Sequence, residues 1–193
     1  MTPIKLLAFA GSARKDSFNK RLVQIAAAGA TTAGADVTVI DLKQFPMPLF
    51  DQDLEQEAGV PEHAIRLKQL FVEHDGLLIA APEYNSSITP LLKNSIDWVS
   101  RPAGDEPPLV AFRGKTAALM SASPGGLGGL RGLVHVRSIL ASIGVMVLPD
   151  QVAVSKAFEA FGEDGQLVDE RKQTQVEKLG AELARVTALL KGK

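Results

Sequence analysis

Gly11-Ser12-Ala13-Arg14-Lys15-Asp16-Ser17-Phe18-Asn19 follows directly on an almost unbroken apolar run over residues 4–10. A run of that kind reads as a strand buried on both faces, as in a parallel sheet. The polar stretch after it then sits at the carboxyl end of the strand, where a helix begins. Backbone N–H groups in the first turn of a helix lack intrahelical partners and carry partial positive charge. Ser12, Ser17 and Asn19 add short hydroxyl and amide donors, and Arg14 adds a planar charged fork. Together these groups suit a phosphate. Read alone, the same loop is equally an ordinary strand-to-helix turn whose serines are caps. The rest of the chain decides between the two.

Outward from the loop, Leu22, Ile25, Ala26 and Gly29 recur at helical spacing, with Gly34 as a stop. Val37-Thr38-Val39-Ile40 is β-branched and reads as a second strand. Residues 45–59, with Pro46, Pro48, Asp51, Asp53, Glu55 and Glu57, read as a long loop of the functional or interface kind. A helix over 60–73 carries the stripe Leu67, Leu70 and Phe71, and residues 76–81 form a third buried strand that Pro82 stops. Pro82-Glu83-Tyr84-Asn85-Ser86-Ser87 then leads to a helix over 90–98, with proline in its first turn. A second proline- and glycine-rich loop covers 101–108. Residues 116–121 make a fourth strand, followed by Ser123-Pro124-Gly125-Gly126-Leu127-Gly128-Gly129. A helix over 130–142, fifth-strand material at 145–148 and 152–154, and a last helix with Val176, Leu179, Leu183, Val186 and Leu190 complete the chain.

The order is a strand-helix unit repeated about five times. Parallel strands need crossover helices, and the crossovers are right-handed, so the expected architecture is α/β. We expect a doubly wound five-stranded parallel sheet in the order 2-1-3-4-5, helices on both faces, and a single domain over residues 1–193. Ligands in such sheets bind beyond the carboxyl ends of the strands, near the switch point. Strands one, three and four are then neighbours, so loops 11–19, 82–87 and 121–129 meet on one edge. That convergence points to a site.

The totals exclude several function classes. At 193 residues, 46% hydrophobic, 22% charged and net charge −1, the chain has the profile of a soluble globular protein. There is no broad basic surface for nucleic acid. The chain has no cysteine, hence no disulfide, thiolate metal site or cysteine nucleophile. No apolar run approaches ~18 residues, and Met1-Thr2-Pro3-Ile4-Lys5 is wrongly ordered for a signal peptide. The expectation is a cytoplasmic protein without a membrane partner. His63, His74 and His135 lack metal-ligand spacing, and Ser121 and Ser123 lack a Gly-x-Ser-x-Gly elbow. No metal is expected.

The first loop is no Walker A and no dinucleotide fingerprint, and the glycines at 125, 126, 128 and 129 miss that pattern too. A ligand with one phosphate and a large flat ring fits better. Its phosphate goes to Ser12, Arg14, Ser17 and Asn19, and its ring lies between the other two loops. Pro82 and Pro124 hold backbone rigidly, and glycines permit close approach to a ring face. Tyr84 offers an aromatic surface with Glu83 and Asn85 beside it. FMN has that shape.

The same residues resemble a known family. Gly11-Ser12-Ala13-Arg14 with Ser17 and Asn19 is similar to the phosphate loop of NADPH-dependent FMN reductases. That family is a flavodoxin-like branch that includes quinone, chromate and azo reductases. Pro82-Glu83-Tyr84-Asn85-Ser86-Ser87, with Leu92-Lys93-Asn94 and Ile96-Asp97-Trp98, resembles its second signature. Ser121-Ala122-Ser123-Pro124-Gly125-Gly126, with Gly129 and Arg131, resembles its third. The resemblance implies that Ser12, Arg14, Ser17, Phe18 and Asn19 hold the phosphate end of FMN. Pro82, Glu83, Tyr84 and Asn85 then line the ring, mainly through backbone amides. Ser121, Pro124, Gly125 and Gly126 approach the ribityl chain or the ring's other flank. NADPH or NADH is the implied co-substrate, a quinone or similar small molecule the acceptor, and a homodimer or homotetramer the assembly. No side chain is expected to act as an essential catalytic acid or base. Two other classes stay open: a flavin-binding electron carrier or redox sensor without turnover, and a phosphate-binding regulatory domain. Flavodoxin carriers are usually strongly acidic, and this chain is not.

Overall fold

The computed structural model describes residues 3–192. The reading of the amino terminus as free of a signal segment rests partly on Met1 and Thr2, which lie outside them. The chain runs β1 (Lys5–Ala10), α1 (Phe18–Thr32), β2 (Asp36–Asp41), α2 (Gln52–Ala58), α3 (Glu62–Glu73), β3 (Gly76–Ala80), β4 (Glu83–Tyr84), β5 (Ser87–Ile88), α4 (Pro90–Val99), β6 (Thr116–Ala122), α5 (Leu130–Ser142), β7 (Met146–Val154), α6 (Ala157–Ala160) and α7 (Glu170–Lys191). The five long strands pair in parallel in the order β2-β1-β3-β6-β7. That is the expected 2-1-3-4-5 order, with a small antiparallel hairpin, β4–β5, standing apart.

Alternate strand residues face opposite ways, and both faces are covered. On one, Leu6, Ala8, Leu78, Ala118 and Met120 meet Leu22 and Ile25 of α1 and Val176 and Leu183 of α7. On the other, Leu7, Phe9, Leu77, Ile79 and Leu119 meet Leu67 and Phe71 of α3, Leu92 and Ile96 of α4, and Leu133 of α5. Two-sided burial is why β1, β3 and β6 are written as continuous apolar runs. Among the described residues, no helix is long and apolar enough to cross a membrane.

One expectation needs correction. Residues 45–59 are not all loop, because α2 forms inside them. The Asp51 carboxylate accepts from the N–H of Asp53 at 2.8 Å and of Leu54 at 3.5 Å, with Asp53 and Glu55 in the first turn. The acids that suggested a loop are the helix's cap and dipole partners. The two stretches read as fifth-strand material join in one strand, β7. It lies at the sheet edge, where the missing N–H of Pro149 is tolerated, and its register slips between Ala117 and Leu119 of β6. The Arg137 guanidinium of α5 spans the irregularity, donating to Leu148 O at 2.7 Å and Gln151 Oε1 at 3.1 Å.

Helices α1 and α7 cross with their backbones nearly touching. A Cβ on Gly29 would lie 2.1 Å from Glu177 O, and one on Gly180 would lie 1.9 Å from Ala26 O. The glycines let the two backbones approach this closely, with Val176, Leu179 and Leu183 of α7 buried beside the crossing. At the sheet's opposite end from the loops, Lys115 is 6% exposed and donates its Nζ to His74 O. Burial, with some repulsion from Lys191 against attraction from Asp75, pushes its pKa down from 10.5 to about 8.

Gly180→Ala should cost about 2 kcal/mol or more through overpacking, although alanine is intrinsically the better helix former by about 1 kcal/mol. Urea unfolding measures this, and an unchanged or raised midpoint would remove the close crossing from the account. Lys115 gives a second test. Its amine binds a proton less readily in the folded chain, so the unfolded chain holds more protons between about pH 8 and 10.5. Stability should therefore rise with pH across that window, and Lys115→Met should flatten the rise.

Candidate functional site

Because β1, β3 and β6 are neighbours and parallel, their carboxyl ends lie side by side. A cleft of about 80 Å³ opens there, too small to enclose a large ligand and so an open trough. Ser12, Arg14, Ser17, Phe18 and Asn19 line it from the first loop. Pro82, Glu83 and Tyr84 line it from the second, and Ala122, Ser123 and Pro124 from the third. The three stretches singled out by sequence come together.

At one end stands the N-terminus of α1. Ser17 occupies the N-cap position with extended backbone, yet its hydroxyl makes no cap bond, and the first turn holds no acidic residue. Ser17, Phe18 and Asn19 all line the cleft, and among the described residues the Ser17 hydroxyl and the first-turn N–H groups of Phe18 and Asn19 make no internal hydrogen bond. Ser12 is buried and accepts from Arg14 N at 3.3 Å, while the Arg14 side chain is exposed. This is a donor set of hydroxyls, amides and one guanidinium with no opposing carboxylate from its own helix turn. The Asn19 side chain is used differently. Its Nδ2 donates to Ala122 O at 2.8 Å and its Oδ1 accepts from Ala122 N at 3.0 Å. Both polar atoms of its amide are thus engaged by Ala122, which leaves the backbone N–H and one Nδ2 hydrogen for a ligand.

The second loop is a hairpin pairing Glu83 with Ile88 and Tyr84 with Ser87. Its turn residues Asn85 and Ser86 have φ of 49° and 66°, the left-handed pair of a tight hairpin turn. Asn85 is not among the residues lining the cleft, whereas Tyr84 lines it at 50% exposure. Glu83 turns its carboxylate toward α5. It accepts from Arg131 Nε at 2.9 Å, from Arg131 Nη2 and from Gly132 N at 3.1 Å. Burial alone pushes this carboxyl up; the Arg131 guanidinium and the Gly132 N–H outweigh it and hold the group below the ordinary carboxylate range. Glu83 is thus a cap supplied from another loop, and it also lines the cleft.

In the third loop, Gly125 and Gly126 do not line the cleft, and a Cβ on Gly126 would meet nothing within 4 Å. The glycines the fold demands are the next two. Gly128 (φ +62°) lies against Val154, and a Cβ on Gly129 (φ +86°) would strike the Ser121 hydroxyl at 2.0 Å. Ser121 is wholly buried beneath Gly129, without a hydrogen-bond partner among the described residues and outside the cleft lining.

Three residues support these loops from α4 and its cap; Thr89 escaped the sequence reading, and Asn94 and Trp98 were read there only as part of the second signature. Thr89, buried at the N-cap of α4, donates to Gly11 O at 2.7 Å and accepts from Leu92 N at 3.2 Å. A threonine before a first-turn proline is a cap signal, but its second partner 78 residues away is not legible. Asn94 and Trp98, one helical turn apart, hold the loop ahead of α2: Asn94 Oδ1 accepts from Phe50 N at 2.7 Å, and Trp98 Nε1 donates to Pro48 O at 2.8 Å. Among the described residues, no cluster of His, Asp and Glu could hold a metal ion.

Comparison with known proteins agrees with this geometry. Residues 4–159 match the family model described as NADPH-dependent FMN reductase. The chain is 35% identical over 176 residues to an NAD(P)H-dependent FMN reductase of Pseudomonas aeruginosa, covering 91% of this chain and 90% of that one. It is 32% identical to an NADPH:quinone oxidoreductase of Arabidopsis thaliana, over 98% and 95% of the two chains. A flavoenzyme NAD(P)H:(acceptor) oxidoreductase from Paracoccus denitrificans superimposes with a TM-score of 0.78 at 28% identity, covering 95% and 97%. An archaeal flavodoxin, at 11% identity and TM-score 0.63 over 95% and 99%, shares the fold alone. With the match running through all three loops and nearly the full length of its relatives, this chain belongs to the NADPH-dependent FMN reductase family of flavin-dependent oxidoreductases.

Proposed function

We propose that this chain holds FMN in the trough between its three loops and passes reducing equivalents from NAD(P)H to a quinone or a similar small, flat acceptor. The observation that carries the reading is the pairing of an open helix N-terminus with a shallow, largely uncharged slot beside it. The donor set fits the group. FMN has one phosphate and one large ring, and the trough has one anion-ready end and one flat end.

On this reading the hydroxyls of Ser12 and Ser17 and the N–H groups of Phe18 and Asn19 hold the phosphate, and the Arg14 guanidinium offsets its charge. Pro82, Tyr84, Ser123 and Pro124 flank the ring. When bound, FMN supplies the hydride exchange. The protein orients it, keeps one face within reach of small molecules and offers amide dipoles to the ring edge. Glu83 does not shuttle protons, because it stays ionised against Arg131 and Gly132. The reading includes a cytoplasmic setting, where NAD(P)H is drawn, and a homodimer or homotetramer. Exposed Leu130 and Val134 on α5, beside the trough, support a covered surface there.

Arg14→Ala should weaken FMN about ten- to a hundredfold and leave riboflavin almost unchanged, since only FMN carries the phosphate dianion. Equal losses for the two ligands would remove Arg14 from the phosphate end. The purified protein should be yellow, or become so on adding FMN, and should oxidise NAD(P)H when a quinone is supplied. Colour without turnover would make it a carrier or sensor. Failure to take up FMN at all would overturn the reading.

A further inference from the structure

The loop between β1 and α1 is exposed over residues 13–16 and buried at both ends. Its one internal side-chain bond is the long contact from Arg14 N to Ser12 Oγ, 3.3 Å. Nothing inside the loop sets its shape, so its ends must. At the first end, Gly11 donates its N–H to Ala80 O at 2.9 Å and accepts the Thr89 hydroxyl at 2.7 Å. At the other, Asn19 pairs both atoms of its amide with Ala122. Ala122 lies beyond the last residue of β6 that pairs with β3, Met120. There the Asn19 amide takes the place that a further strand residue would fill, satisfying a buried N–H and C=O.

The consequence is a fixed separation between the two halves of the trough. Ser17 stands two residues before Asn19, and Ser123 directly follows Ala122. One side-chain amide therefore ties the anion-ready helix end directly to the loop flanking the ring. Thr89 does the same between Gly11 and the helix that follows the hairpin. Both side chains are nine-tenths or more buried, at 4% and 3% exposure, so water competes little for these bonds.

We infer that Asn19 and Thr89 are positioning residues that couple the phosphate end of the trough to its ring end, and that the Asn19 side chain is not itself a phosphate ligand. The inference rests on the flavin reading above. A ligand that reaches both ends at once gains from their fixed spacing, because the second contact is intramolecular. A ligand that reaches only one end gains nothing from it.

Flavin-free protein and the variants N19A, T89V and T89S are titrated with FMN, with riboflavin, and with inorganic phosphate followed by the amide resonance of Phe18. We expect N19A and T89V to lose about tenfold or more in FMN affinity while riboflavin and inorganic phosphate stay within about threefold of the parent chain. T89S keeps the hydroxyl and should restore FMN binding. If N19A loses inorganic phosphate as strongly as FMN, Asn19 is a direct ligand and the inference falls. It falls equally if FMN affinity is unchanged, or if neither N19A nor T89V folds, since the bonds then serve the fold alone. If the parent chain binds no FMN while its folded spectrum is intact, the flavin reading has failed and this inference goes with it.

Discussion

Neighbouring parallel strands end on the same side of a sheet, and the site in this protein depends on that constraint. The loops after β1, β3 and β6 are separated by dozens of residues, yet the register places Ala10, Ala80 and Met120 side by side. Whatever chemistry those loops carry is therefore pooled at one edge. The hydrophobic faces above and below make the register unavoidable. A slip by one residue would turn Leu7, Phe9, Leu77 and Ile79 from one core into the other.

The helix termini around that edge are treated unequally, which gives the trough its polarity. Helices α2, α4 and α7 are closed by Asp51, Thr89 and Asp169 of their own caps, and α5 by Glu83 reaching across from the hairpin. The terminus of α1 is left open, with its cap serine uncommitted. Positive partial charge is thus concentrated at one point and offset elsewhere. Glu83 has a double effect: it closes α5 and anchors the base of the hairpin that presents Tyr84.

Rigidity comes from beneath and from the sides. The glycine crossing of α1 and α7 brings the helix that bears the anion-ready terminus hard against the carboxy-terminal helix. On the opposite face, Asn94 and Trp98 hold the backbone at Pro48 and Phe50, and Arg101 pairs with Glu55 at 2.7 Å while lying over the Phe50 ring. The segment after β2 is in this way fastened to α4 instead of roaming over the edge. An open trough with firm walls is suited to chemistry supplied by a bound ring.

The five long strands, the longer helices, the sheet order and the convergence of three loops were legible in the sequence, because burial on two faces and helical spacing are local patterns; the short elements α2, α6 and the β4–β5 hairpin were not. The resemblance carried by those loops was legible too. What the chain does with individual polar atoms was not. Asn19 reads as a ligand donor, and only folding brings Ala122, 103 residues away, within reach of its amide. The partners of the Glu83 carboxylate, Arg131 and Gly132, lie 48 and 49 residues on and are equally invisible in the sequence. The acids around α2 look like loop because a capping carboxylate and a solvated one are written with the same letter. A hydrogen-bonding side chain has several potential partners within reach of the folded backbone, and the sequence lists donors and acceptors without distances. Tertiary structure alone decides which bond is made.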